Sequence, residues 1–182
     1  LIQSSINMKT LLNIFICSLL LAGNHLAGQT SNLIFEAKFE NTLDSEEGES
    51  ATLDSGLSFE AGVSGMGVLI EEGDLLQYAV QNNIDVSAGS MTLWVRPNWD
   101  PGDLLYRIMV LGKDQRNFEL HMDEGRNLAF SVNTFQLEGN PIKVAFADGS
   151  DWKKDNWYFL TYTWSADEIA IFVNGNKVGQ TA

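Results

Sequence analysis

From Leu33 onward, apolar and polar residues alternate in short runs broken by turn residues. Successive side chains of a strand point to opposite faces, so this alternation predicts half-buried β-strands. Leu33, Phe35, Ala37 and Phe39 fall on one side of the first run, with Ile34, Glu36, Lys38 and Glu40 on the other. Shorter candidates follow at 57–60, 68–70 and 75–80. The segment SMTLWVRP at 90–97 puts Met91, Leu93 and Val95 on one face and Thr92, Trp94 and Arg96 on the other. Runs at 106–111, 117–122, 128–133, 157–164 and 168–174 complete the series. No stretch beyond residue 30 sustains the 3.6-residue period of a helix.

The turns between these runs have their own chemistry. Asn174-Gly175 after EIAIFV is a hairpin signal, because Asn and Gly tolerate the positive φ that a primed turn needs. Asp123-Glu124-Gly125-Arg126 joins two strands, with Gly125 the expected positive-φ residue. Asp100-Pro101-Gly102 marks a further turn. Many short strands at this spacing predict an all-β sandwich or barrel in one domain.

The first 28 residues follow a different pattern. Met8 and Lys9 precede an apolar run, LLNIFICSLLLA at 11–22, and small residues come next at Ala22, Gly23, Ala27 and Gly28. Twelve helical residues rise about 18 Å, too short for a bilayer core of roughly 30 Å. A positive residue, a short apolar region and small residues form the pattern of a secretory leader. The expected division is therefore residues 1–28 as upstream residues and leader, starting at Met8, and 29–182 as the domain. The location expected is secreted or cell-surface, after cleavage near Gly28.

Cleavage removes Cys17, His25 and Lys9, leaving 10 basic residues against 24 acidic ones and a net charge of −14. Such a chain lacks the basic footprint that nucleic acids and anionic lipid surfaces require. With no Cys and one His, His121, thiol nucleophiles and multi-His zinc sites drop out. Eight acidic residues crowd 36–60 beside the single base Lys38. That segment reads as a solvated loop with exposed strand faces, or as a site for a hard cation such as Ca²⁺, which takes carboxylate and carbonyl oxygens.

Several of these segments, in this order, are familiar. A Phe-rich strand leads into Asn41-Thr42-Leu43-Asp44-Ser45, and a Gly-rich stretch carries Gly65 and Gly67. SMTLWVRP is followed by Trp99-Asp100-Pro101-Gly102-Asp103, and WYFLTYTW at 157–164 is paired with IFVNG at 171–175. The chain resembles the laminin G-like, concanavalin A-like lectin/glucanase jelly-roll domains of secreted bacterial proteins, over about residues 33–180. The resemblance implies an antiparallel two-sheet β-sandwich. It also implies that further strands follow the Asn174-Gly175 hairpin, so the domain is expected to be incomplete at its C-terminus. Asp44 sits where the resemblance places an acidic Asp-Ser, which makes it the candidate Ca²⁺ ligand.

The resemblance implies a non-catalytic extracellular recognition module that binds a glycan or a cell-surface protein, within a longer secreted protein. Sugars are held by an aromatic face under the apolar side of the ring and by polar groups for its hydroxyls. Trp94, Arg96, Trp99, Asp103 and Trp152 are the residues expected to frame such a site. The alternative is a module of a secreted glycoside hydrolase whose catalytic residues lie elsewhere. Within this segment no Glu-x-Asp-x-x-Glu strand occurs. Asp123-Glu124 and Asp167-Glu168 are adjacent pairs whose side chains diverge on a strand, so neither makes the paired carboxylates of a glycosidase.

Overall fold

A computed structural model describes residues 10–13, 33–85, 87–102, 104–111, 118–132 and 143–181. Thirteen strands and no helix are assigned among them. They are β1 (Thr10–Asn13), β2 (Ala51–Ser55), β3 (Ser58–Ala61), β4 (Met66–Ile70), β5 (Leu75–Tyr78), β6 (Gly89–Pro97) and β7 (Tyr106–Leu111). Then come β8 (Phe118–Met122), β9 (Asn127–Val132), β10 (Lys143–Asp148), β11 (Tyr158–Trp164), β12 (Ile169–Val173) and β13 (Asn176–Thr181). A seven-stranded sheet runs β13-β12-β11-β6-β1-β4-β3, a four-stranded sheet runs β10-β9-β8-β7, and β2 pairs with β5 alone. All pairings are antiparallel, and the fold is the expected all-β sandwich of jelly-roll type.

The two main sheets bury their apolar faces against each other. The large sheet contributes Val68, Ile70, Leu93, Val95, Leu160, Tyr162, Trp164, Ile169 and Ile171. The small sheet answers with Tyr106, Phe118, Leu120, Met122, Leu128, Phe130 and Val132. Aromatic pairs join the layers: Phe118 meets Trp164 edge-on at 5.3 Å, and Phe130 meets Tyr162 at 5.0 Å. Gly89 lets the Trp164 indole close over β6, since a Cβ there would stand 2.7 Å from Cζ2. The faces predicted for 90–97 hold: Leu93 and Val95 are core, while Thr92, Trp94 and Arg96 look outward and are half-buried.

Tyr162 lies wholly inside this core, and its hydroxyl has no hydrogen-bonding partner among the described residues. Burial alone raises its pKa well above the ordinary phenol value. A buried polar group without a partner carries a desolvation penalty that an apolar isostere avoids. Tyr162→Phe should therefore leave the urea midpoint unchanged or raise stability by up to about 1 kcal/mol. A clear drop in the midpoint would show that the hydroxyl is served by a partner such as a buried water.

Two local expectations are corrected. The run 33–40 alternates in burial as predicted, with Ala37 and Phe39 inside, yet among the described residues its only bridge is Glu36 to Glu47. Phe39 at φ 61 and Asn41 at φ 60 turn the chain away before a ladder forms. In the 123–126 turn, Arg126 at φ 66, not Gly125, takes the left-handed conformation. At Asn174 and Gly175 the positive φ values of 51 and 82 are those of the predicted primed turn. The expected leader, residues 1–28, lies outside the described residues except for 10–13. Thr10–Asn13 forms a strand between β4 and β6, with Leu11 opposite both Leu69 and Arg96.

Candidate binding face on the large sheet

Strand parity carries Trp94 and Arg96 together onto the outer face of the large sheet. In the register of β6 against β11, Trp94 stands opposite Phe159, and their rings lie 5.0 Å apart at 40°. One step along, the Arg96 guanidinium lies 5.3 Å over the Trp157 ring. Its Nη2 donates to Glu60 Oε2 at 2.8 Å, with the Arg96 side chain 26% and the Glu60 side chain 48% exposed. On the other side of Trp94, Thr92 and Thr161 face each other. Farther out, Lys177 sits 6.0 Å from the Phe172 ring. The result is an amphipathic strip along β6: the threonine hydroxyls, then an indole flanked by an aromatic neighbour, then a cation–carboxylate pair.

The other expected site residues lie elsewhere. Trp99 is 6% exposed and stacks flat on Tyr106, 3.9 Å away at 2°. Trp152 is 4% exposed and stacks in the same way on Tyr158, at 4.0 Å and 2°. Both indoles belong to the core cluster, which corrects the expectation that they offer an open face to a ligand. Each loop packs its indole on the tyrosine that opens the following strand, β7 or β11. Asp103 lies outside the described residues.

Asp44 caps its own turn. Its amide donates to Thr42 Oγ1 at 3.1 Å, and that hydroxyl donates to Asp44 Oδ2 at 2.8 Å. Nearby, the Tyr78 hydroxyl donates to the Leu43 carbonyl at 2.7 Å. Burial, and then the charges of Asp44 and Glu46, push the pKa of that phenol upward. Among the described residues no group of three or more His, Cys, Asp or Glu is placed to hold a metal ion. The oxygen shell that Ca²⁺ requires is therefore not assembled around Asp44 by the carboxylates described.

A second polar group, not anticipated from the sequence, sits on the outer face of the small sheet. Arg107 Nε donates to Glu119 Oε1 at 2.8 Å, and His121 Nδ1 lies 3.6 Å from the same oxygen. Register aligns Arg107, His121, Ala129 and the exposed Phe146 in one row across four strands. Beyond it, Asp123 is partly buried, which opposes ionisation. The side-chain and backbone bonds from Asn127, with help from Gly125 and His121, outweigh that and hold its carboxyl below the usual range. Glu119 is nearly buried and ion-paired, so the group reads as a brace for β7 and β8.

No helix among the described residues is long and apolar enough to cross a membrane. A search of curated proteins gave no match. The family model of the concanavalin A-like lectin/glucanases superfamily, of laminin G type, matches residues 71–182, a span that holds β5 to β13 and with them Trp94, Arg96, Trp157 and Phe159. The two-sheet sandwich and this match agree, and the chain belongs to the concanavalin A-like lectin/glucanase superfamily.

Proposed function

We propose that the protein is a non-catalytic, extracellular recognition module that binds glycan on the outer face of its large sheet. Membership of the superfamily supports a carbohydrate-binding or glycosidase-related module. The observation that carries the finer reading is Trp94. A partly exposed indole beside Phe159, with the Arg96–Glu60 pair one step along the strand, supplies both halves of a sugar site. The apolar face of a pyranose covers the ring, while charged donors and acceptors at the side serve its hydroxyls. The leader pattern around Lys9 and residues 11–22 supports export.

Trp94→Ala should weaken glycan binding by about 1–3 kcal/mol, on the scale of burying one large apolar side chain. The checks are titration calorimetry against the best array ligand and circular dichroism to show that the fold persists. Unchanged affinity in a folded Trp94→Ala chain would remove the site from this face.

A further inference from the structure

Within the glycan site just proposed, and resting on that reading, the geometry points to the Arg96–Glu60 pair as a charge filter that admits neutral chains of two or more sugar units and turns away acidic ones. Trp94 and Arg96 are two residues apart on one strand and one face, so their side chains leave the sheet about 7 Å apart. A sugar stacked on Trp94 therefore places its neighbour, not itself, at the guanidinium. A single sugar engages one part of the strip; a chain laid along β6 engages both.

The charge argument concerns what Arg96 is already doing. A lone, exposed arginine on an aromatic face would attract a carboxylate or sulfate, which fits its planar fork. Here Nη2 is bound to Glu60 at 2.8 Å, and the guanidinium carbon lies 5.3 Å from the centre of the Trp157 ring. An acidic ligand would have to compete with Glu60 for the cation and then sit beside the displaced carboxylate. It would also approach a chain carrying 24 acidic against 11 basic residues. Like charge set opposite like charge is a standard means of excluding wrong partners. A neutral sugar meets no such barrier. Its hydroxyls are donors and acceptors at once; they can accept from the remaining guanidinium N–H groups and donate to Glu60 without separating the pair.

The test uses the full chain and three matched sets of immobilised glycans of one to six units: neutral, uronic and sulfated. The wild type should bind neutral chains, gain affinity severalfold between one unit and two, and hold that affinity as NaCl is raised, since no net charge is neutralised. Glu60→Gln releases Arg96 and should shift preference toward uronic or sulfated chains by about tenfold or more, with binding that now falls as salt rises. Glu60 is half-exposed on a short outer strand, so the variant should fold, and a thermal melt verifies it. A wild type that prefers acidic chains, or neutral binding that collapses in salt, overturns the filter whether or not the variant folds. So does a folded Glu60→Gln chain with the wild-type preference. Failure of the parent reading has a different signature: no glycan of any set is retained by the wild type, or Trp94→Ala binds as well as it does.

Discussion

Deletion of residues 1–28 should replace the sharp unfolding of the full chain with a broad transition at lower temperature, and the shortened chain should self-associate. The reason lies in the middle of the large sheet. β1 pairs on one side with β4 through Thr10–Ile70, Leu11–Leu69 and Leu12–Val68, and on the other with β6 from Thr10–Pro97 to Asn13–Trp94. Removing it takes away two ladders at once, each hydrogen bond worth about 0.5–1.5 kcal/mol net. It also bares the inner edges of β4 and β6, whose Val68, Ile70, Leu93 and Val95 are core. Both strands run antiparallel to β1 and hence parallel to each other. To close the gap they would need a new parallel pairing and a sideways shift of about 4.8 Å, against the packing below. A domain holds only about 5–15 kcal/mol in total, so the loss is a large share of it. Open edges recruit other chains. Calorimetry and size-exclusion chromatography on both chains decide the matter. A monomeric 29–182 chain melting as sharply and as high as the full one would show that the sheet does not need this strand.

The sequence makes the centre of the fold legible and its margins obscure, for physical reasons. Where large apolar residues alternate with polar ones, as at 90–97 and 158–164, side-chain parity gives both the core face and the outer face, including Trp94 and Arg96. β10 escaped notice because its pattern runs backwards. Its inward residues are Ala145 and Ala147, small because β10 lies against β12 and β13, while the larger Phe146 looks out and is 55% exposed. β2 has no buried face, since even Leu53 is 49% exposed, and it is held by its ladder to β5. The partners within the candidate face show the same limit. Arg96 is readable from β6 alone, but Glu60 is 36 residues earlier and only the sheet order brings it within 2.8 Å. Trp99 and Trp152 sit in Asp-, Gly- and Lys-rich loops, where neighbours suggest exposure. The path of a loop is set by what it packs on, and no local pattern encodes that.

That difference in burial sets the remaining large effect: Trp99→Ala, Trp152→Ala and Trp164→Ala should each cost about 3–5 kcal/mol of stability, while Trp94→Ala costs far less. Truncating a buried indole removes its transfer free energy and leaves a cavity that close-packed neighbours fill only in part. Trp99 and Trp152 each lose a flat stack on a tyrosine, at 3.9 and 4.0 Å. Trp164 loses its edge contact with Phe118 and the bond from Nε1 to the Asp85 carbonyl at 2.9 Å, which leaves that carbonyl to find another donor. Its indole also fills the space that Gly89 leaves open above β6. At about 2–4 °C per kcal/mol for a chain of this size, each substitution should lower the melting temperature by roughly 6–20 °C. Trp94, partly exposed on the outer face, has solvent to fill the space it vacates, so its loss should register in ligand binding and little in melting. Thermal unfolding of the four variants, read beside their glycan affinities, separates packing tryptophans from a binding one. If Trp99→Ala melts with the wild type and loses glycan binding, then its loop opens to solvent and the binding face belongs there. If Trp94→Ala melts lowest of the four, the outer face of the large sheet is structural and the site has to be sought on the other sheet.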